Sequence, residues 1–296
     1  MLYITGITGH TGAWLLKRLI KENYQGLIKC VVRKDSDTTL IDQSGLNIEK
    51  LYGDLNDIHF LTDSMKNVET VIHISSIMYS PKVLESAIKN NVNWAILVHT
   101  TGRYSKYKSA SEEYIKIEDS LLEMKDKINL TVLRPTMIYG SSADRNMIKL
   151  IDFLYRFKFF PLFGKGENLM QPVHAKDLGN AYYDVLMNKE ATMNQNYNLA
   201  GKEPISYKTL INIVSSKLHK KTVLISIPLG FSIFLAKVYN KITSKALISE
   251  EQVLRMQEDK AFPYDKATKD FGYNPIDYEN GIDEEIKLYL KSKGKM

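Results

Sequence analysis

The first dozen residues constrain this chain more than any other stretch. Leu2 to Ile4 is a short apolar run that reads as a buried strand. Gly6, Gly9 and Gly12 follow, and Ala13 to Ile20 then carries apolar residues at helical spacing. Strand, glycine turn and helix form the context in which such a glycine pattern has chemical meaning. Gly6 permits a tight turn, Gly9 leaves backbone N–H groups free to approach a pyrophosphate, and Gly12 lets the helix pack close to the strand. The first helical turn then points its unpaired N–H groups at the phosphates. Gly6, Thr8, Gly9, His10, Thr11 and Gly12 are therefore the candidate contacts. The blander reading, a glycine-rich turn with no ligand, is disfavoured by the strand before it and the helix after it.

The pattern continues along the first half. Apolar runs at 2–4, 28–32, 71–74, 95–98 and 130–133 read as strands, with helical patterns at 13–23, 58–66, 81–90 and 110–125. Strands apolar on both faces and separated by helices imply a parallel sheet covered on both sides. The predicted class is α/β, a Rossmann-type doubly wound parallel sheet with a smaller C-terminal substrate-binding subdomain. After Gly140 the rhythm changes. Residues 147–159 look helical, a Pro-Gly segment runs from Pro161 to Gly166, a helix covers 176–187, a strand 197–199, and a helix 206–218 has Ser206 as N-cap. We therefore divide the chain into a dinucleotide-binding core, 1–140, and a mainly substrate-binding part, 141–296, that returns in part to the core sheet.

Bulk properties exclude several classes. Apolar residues make up 44% and charged residues 25% of the 296, the balance of a soluble globular chain. The one cysteine, Cys30, rules out an intramolecular disulfide and a cysteine-cluster metal site, and its apolar surroundings suggest a buried, inert thiol. No His/Cys/Asp/Glu cluster has metal-ligand spacing. A strand beginning at residue 2 leaves no room for a signal peptide, and the expected location is cytoplasmic. The net charge of +6 is spread over lysine-rich helices and the tail 287–295, which argues against nucleic acid as a partner. The best membrane candidate, 224–239, is broken by Pro228, Gly230 and Ser232 and is too short to span; a loop and helix is expected there.

Further motifs carry a family resemblance across nearly the whole chain. They are Gly6-Ile-Thr-Gly-His-Thr-Gly12, Gly53-Asp-Leu55, Val71-Ile-His-Ile-Ser-Ser76, Leu133-Arg-Pro-Thr-Met-Ile-Tyr-Gly140, Pro172-Val-His-Ala-Lys-Asp-Leu178, Tyr197-Asn-Leu-Ala-Gly201 and Phe271-Gly-Tyr-Asn-Pro275. In order and spacing they resemble an extended short-chain dehydrogenase/reductase of the epimerase/dehydratase-like superfamily. The segment from Arg134 to Leu178 is similar to that of bacterial proteins called nucleoside-diphosphate-sugar epimerase-like. The resemblance implies that Asp54 and Leu55 flank an adenine and that Ser75 and Ser76 line the cofactor. Asp54 also reads as a turn residue or helix N-cap. It implies a homodimer through the helix at 111–124, whose exposed face, Glu112, Lys116, Asp119 and Glu123, is charged.

Arg33 lies about 20 residues past the glycine turn, where an acidic residue would accept the ribose 2′-OH of NAD. A planar guanidinium suits a 2′-phosphate instead, so NADP is expected ahead of NAD. An ordinary surface Arg33–Lys34 pair, or Asp35 reaching the 2′-OH, are the alternatives.

Hydride transfer needs a partner that moves a proton. The resemblance implies a Ser/Thr at a strand end, matched by Thr101 or Thr100, and a Tyr-x-x-x-Lys pair, matched by Tyr104 and Lys108. One helical turn would set that pair on one face. However, only Gly102 and Arg103 separate Thr101 from Tyr104, whereas the family has a much longer segment there. A second register starts the helix near Ala110, matches Glu118 to the family's helix Glu, moves the Lys position to Glu112 or Tyr114 and loses the dyad. His73, His174 and Arg134 read as structural, His99 stands at a strand end beside the cleft, and Asp144 and Arg145 lie on the substrate side.

Two functions follow. One is an NAD(P)-dependent oxidoreductase or epimerase acting on a hydroxyl- or carbonyl-bearing small molecule, with nucleotide sugars among the candidates. The other is a catalytically eroded NADP-binding sensor or assembly protein.

Overall fold

The structure is a computed structural model that describes residues 1–141, 144, 146–231, 233 and 250–295. Its centre is a seven-stranded sheet built from β1 (Leu2–Thr5), β2 (Ile28–Val32), β3 (Ile48–Tyr52), β4 (Thr70–His73), β5 (Trp94–Val98), β6 (Asn129–Pro135) and a late strand. Four two- to five-residue strands come before that late strand: β7 (Ile138–Tyr139), β8 (Phe159–Phe163), β9 (Leu169–Met170) and β10 (Val173–His174). The late strand is β11 (Asn196–Leu199), and the order across the sheet is β11-β6-β5-β4-β1-β2-β3. Every neighbouring pair is parallel. The doubly wound parallel sheet is thus as expected.

Each face is covered by helices, because strands such as β1 and β5 are apolar throughout and have no polar side to give to water. On one face Leu15, Leu16 and Leu19 of the helix Gly12–Lys21 pack with Leu178, Tyr182 and Val185 of the helix Ala175–Met187. On the other, Val83, Leu84 and Ala87 of the helix Ser80–Lys89 and Leu121 of the helix Lys108–Leu122 cover Tyr3, Val71 and Leu97. A separate core gathers Ile151, Leu154, Leu210, Val214, Ile282 and Ile286 from three helices of the C-terminal half. The second half nevertheless adds β11 to the sheet edge and a helix to one face of the sheet.

Three segments differ from expectation. β3 carries Glu49 and Lys50 on a half-exposed edge, so it lacks the continuous apolar run that marks the interior strands. The helix at 147–159 stops at Arg156, and Phe159 begins a strand that runs through Pro161. Val223–Ile227, expected as loop and helix, is a strand, β13, paired in parallel with β8; β12 is Ile205–Ser206. Farther along, residues 229–231 and 233 are helical as expected, and 232 and 234–239 lie outside the described residues. Ser206 does cap its helix, accepting from the Thr209 N–H at 3.0 Å. Among the described residues no helix is long and apolar enough to cross a membrane.

Candidate functional site

The cleft opens at the C-terminal ends of the parallel strands, where the order turns back between β1 and β4. At its first end, Gly6 has φ +79° and its Cα faces the Ile74–Ser75 backbone, where a Cβ would come within 2.8 Å of Ser75 N. A Cβ on Gly12 would strike the Gly6 carbonyl. Gly9 differs: it is exposed, and a Cβ there would meet only the Gly6 carbonyl, at 3.1 Å. Protein packing therefore explains Gly6 and Gly12 but leaves the space over Gly9 open. The helix that follows starts without a side-chain cap, since Thr11 makes no capping bond. Open space over Gly9 and an uncapped helix N-terminus fit a pyrophosphate. Thr8 is exposed beside them, while Thr11 is buried and accepts from the Tyr182 hydroxyl at 3.3 Å.

Arg33 follows β2 with its side chain 81% exposed and a 3.7 Å contact to Asp35. Asp54 accepts from the Asn56 N–H at 2.9 Å in a tight turn, and Asp57 is the helix cap. Leu55 packs against the core below. Ser75 lies against Gly6, and Ser76 accepts from the Met78 N–H at 3.4 Å.

The other end is a cavity of about 1010 Å³ whose walls include His10, Thr100, Thr101, Tyr104, Tyr114 and Asp144. Thr101 donates its hydroxyl hydrogen to the Pro135 carbonyl at 3.1 Å, so toward a substrate it acts as an acceptor. Thr100 accepts from the Gly102 N–H at 3.0 Å and fixes the turn. Tyr104 closes a short 3₁₀ turn, Thr101–Tyr104; its hydroxyl donates to Asn198 Oδ1 at 3.3 Å and its ring lies 5.4 Å from that of Phe262.

The single helical turn expected for Tyr104 and Lys108 does not form. Ser105 and Tyr107 are extended, and Lys108 starts the next helix. Lys106 and Tyr107 line the cavity, whereas Lys108 is not among the lining residues. The physical cause comes from the far end of the chain. Glu258 accepts from Ser105 Oγ at 2.8 Å and from the Lys106 N–H at 2.7 Å, and Glu251 accepts from the Ser109 N–H at 3.2 Å. These carboxylates hold the connector extended. Tyr114, one of the two positions in the second register, faces Gly102 across the cavity wall.

Beneath this turn lies a buried polar network. Glu118 is fully buried; its Oε2 accepts from His99 Nδ1 at 3.0 Å and its Oε1 from Arg134 Nε at 2.8 Å, with Arg103 also bonded. Burial alone would raise the Glu118 carboxyl, but the His99 and Arg134 bonds outweigh it and hold it down at about 2. Burial pushes His99 below its usual range even beside Glu118, and its Nε2 lies 3.2 Å from Ser80 Oγ. Arg134 is structural, as its place before Pro135 suggested, and His99 belongs to the same framework.

The other histidines are also framework. His73 bonds Thr5 Oγ1 at 2.6 Å and the Ser76 carbonyl at 3.1 Å, and burial lowers it to about 3. His174 caps the helix Ala175–Met187 through Nδ1, which accepts from the Lys176 N–H at 3.1 Å. The Cys30 thiol is buried and pushed up to about 12 by that burial, so it is inert. Asp144 lines the cavity and caps the next helix, accepting from the Ile148 N–H at 2.8 Å; Arg145 lies outside the described residues. The helix face expected at a dimer contact, with Glu112, Lys116 and Asp119, is exposed, and Glu112 pairs with Lys116 at 2.7 Å.

Glu258, Asn198 and Phe262 were not foreseen. Asn198 lies inside a quoted motif, Tyr197–Gly201, so a signal for it exists; nothing near Glu258 or Phe262 in sequence points to a partner 150 residues away.

Comparison with known proteins agrees with this geometry. Residues 3–95 match the 3-beta hydroxysteroid dehydrogenase/isomerase family. Sterol demethylase protein B of Methylococcus capsulatus is 34% identical over 73 residues, 25% of this chain and 21% of that protein, so only about a fifth of the relative is spanned. Solved structures match over the whole chain. The protein gox2253 superposes with TM-score 0.80 at 17% identity, covering 100% of this chain and 99% of the other. The dTDP-glucose 4,6-dehydratase of Streptomyces venezuelae, solved with NAD, gives 0.75 at 14%, covering 99% and 98%. The UDP-glucuronic acid 4-epimerase of Bacillus cereus, solved with UDP-glucuronic acid and NAD, gives 0.74 at 16%, covering 98% and 99%. At such identities these structures speak to the fold alone. The chain thus has the Rossmann-type parallel fold of these structures, and its first third is similar to the 3-beta hydroxysteroid dehydrogenase/isomerase family.

Proposed function

We propose that the cleft binds a nicotinamide dinucleotide, NADP ahead of NAD, and that the protein is an NAD(P)-dependent oxidoreductase or epimerase for a hydroxyl- or carbonyl-bearing small molecule. The observation that carries this reading is the glycine turn: an uncapped helix and open space over Gly9 lead directly past His10 into the cavity that holds Thr101 and Tyr104. Gly6, Thr8, Gly9, His10, Thr11 and Gly12 would hold the pyrophosphate, and Arg33 the 2′-phosphate. Asp54, Leu55, Ser75 and Ser76 would border the adenine and ribose. A bound nicotinamide would supply or accept a hydride. Thr101 would accept a hydrogen bond from the substrate hydroxyl, and Tyr104 would exchange its proton. Lys108 would support the dyad only after a rearrangement of the Ser105–Tyr107 connector.

The cavity mixes aromatic walls, Tyr104, Tyr107, Tyr114 and Phe262, with the cations Lys106, Arg255 and Lys260 and the carboxylates Glu113, Asp144, Glu258 and Asp259. That mixture of rings and hydrogen-bonding groups suits a hydroxyl-rich molecule, and nucleotide sugars are the first class to test, in line with the ligands of the fold's neighbours. A second reading, a binder that senses or assembles without turnover, is favoured by one observation: Tyr104 and Lys108 stand on separate elements. The deciding experiment pairs calorimetric titration of NADPH and NADH with a turnover screen of nucleotide sugars and carbonyl compounds. Binding with turnover supports the enzyme, binding without turnover the sensor, and no binding of either dinucleotide removes both.

A further inference from the structure

The strands β8 and β13 form a ribbon whose two faces differ. Leu162 is buried, and Phe160 and Leu224 pack on the C-terminal core. The register pairs Val223 with Phe159, Ile225 with Pro161 and Ile227 with Phe163, so these six apolar residues share the outer face. Val223 is 64%, Ile225 49% and Phe159 44% exposed. Phe157 adds its ring 5.9 Å from that of Phe159. The two strands and their flanks are rich in cations. From Phe153 to Lys165 and from Lys217 to Phe231 the sequence contains Arg156, Lys158, Lys165, Lys217, Lys220 and Lys221 and no Asp or Glu. Lys217 is paired with Asp283 and Arg156 with Asp152, while Lys158, Lys165, Lys220 and Lys221 are exposed.

We propose that the outer face of the β8–β13 ribbon docks this protein on an anionic membrane surface, as a peripheral contact and not a span. An exposed apolar face with a rim of cations suits the boundary between acyl chains and negative headgroups: the apolar side chains enter the interface and the lysines meet the lipid charges. A second copy of the chain fits less well. A two-fold contact would set the lysines of one ribbon against those of the other, and like charges in an interface oppose association. The ribbon also ends beside the cavity. Gln257, a cavity-lining residue, donates through Nε2 to the Phe163 carbonyl at 2.6 Å. Docking would hold that wall of the cavity near the lipid.

Co-sedimentation with vesicles tests this. The full chain is mixed with phosphatidylcholine vesicles, alone or with about a third phosphatidylglycerol, at low and high salt. The expected result is pelleting with the anionic vesicles, little with the neutral ones, and release by salt. Lys158→Ser, Lys220→Ser and Lys221→Ser should each weaken partitioning about fivefold. The pair Val223→Ser and Ile225→Ser should weaken it at least about tenfold. All five positions are exposed, and an unchanged melting curve shows that each variant is folded. Recovery of the unmutated chain in the supernatant with both vesicle types would overturn the proposal. So would equal pelleting with neutral vesicles, or a concentration-dependent dimer in sedimentation equilibrium that Ile225→Ser abolishes.

Discussion

The two ends of the cleft are built in different ways. At the glycine turn the backbone bonds are local, Gly9 to Gly6 and Ala13 to Gly9, and the remote contacts are the strand end at Ser75 and the Tyr182 hydroxyl on Thr11. At the cavity end, Tyr104 is tied to Asn198 and Phe262, and the connector after it to Glu258 and Glu251. One end is dictated by local glycine chemistry and the other by residues brought in by the fold. The first should tolerate remote changes and fail by local ones; the second should do the reverse.

The largest effect tests the local end. Gly9→Val should abolish NADPH binding, a loss of at least about 1000-fold, because the side chain would fill the space left for a pyrophosphate. The melting temperature should hardly change, since only the Gly6 carbonyl lies near. Gly12→Val should lower both, because its Cβ strikes the turn itself. Undiminished binding in Gly9→Val, read by calorimetry, would place the dinucleotide elsewhere.

The next effect tests the assembled end. With a substrate in hand, Tyr104→Phe should cut kcat by about 100-fold or more, with NADPH affinity unchanged. Glu258→Ala should lower kcat too, since it frees the connector, whereas Lys108→Ala should matter less than the family pattern implies. Full turnover in Tyr104→Phe would remove the assignment and make Tyr114, which lines the same cavity, the residue to change next.

A smaller effect returns to the cofactor. NADPH should bind more tightly than NADH by about 10- to 100-fold, the equivalent of a charge-assisted contact worth roughly 1.5–3 kcal/mol. Arg33→Ala should erase most of that difference, and its exposed side chain should make the change neutral for stability. Equal affinities in the unmutated chain would break the assignment and point to Asp35.

The same contrast explains what the sequence reveals. The interior strands and the glycine turn announce themselves because their determinants are contiguous: β1 and β5 are unbroken apolar runs, and the turn spends its glycines within seven residues, Gly6 to Gly12. The roles of His73 and Cys30 follow from the same burial. The edge strand β3 is hidden by its own charges, and β8 by the proline inside it. The separation of Tyr104 from Lys108 is invisible, since a four-residue spacing carries no mark of a carboxylate from Glu258 that keeps the intervening backbone out of a helix. Glu118 is an intermediate case: one of the two registers left open by the sequence singles it out, but nothing there marks its three donors, His99, Arg134 and Arg103.

The smallest effect measures how firmly the C-terminal half grips the cavity. Glu285, on the last helix, accepts from the Gly140 N–H at 2.6 Å, at the point where the chain turns toward Asp144. Burial lifts its carboxyl from the usual 4.5 to about 8, the Gly140 bond opposing and the neighbouring Asp144 adding to the rise. A carboxyl raised in the folded state stabilises most below its unfolded value, and that contribution fades as pH climbs through the folded one. The Glu285 contribution should therefore decline from about pH 4.5 to about pH 8. Asp177, raised from 3.8 to about 6 chiefly by burial, contributes in the same direction but only up to that lower value. Glu118 has the opposite sign: held at about 2, it stabilises above 4.5 and is lost only as pH falls through about 2. The buried histidines also work against Glu285: His73 and His174, lowered by burial to about 3 and about 4, add stability as pH rises to their unfolded value of 6.5, so the slope belongs mainly to Glu285 only above about pH 7. In Glu285→Gln the melting temperature should stop falling between pH 7 and 8, where the unmutated chain should lose a few degrees, about 2–4 °C per kcal/mol for a chain of this size. Parallel pH profiles for the two proteins would show that Glu285 does not hold the Gly140 backbone as a protonated, buried acid, and the contrast between a locally built end and a remotely held one would lose one of its anchors.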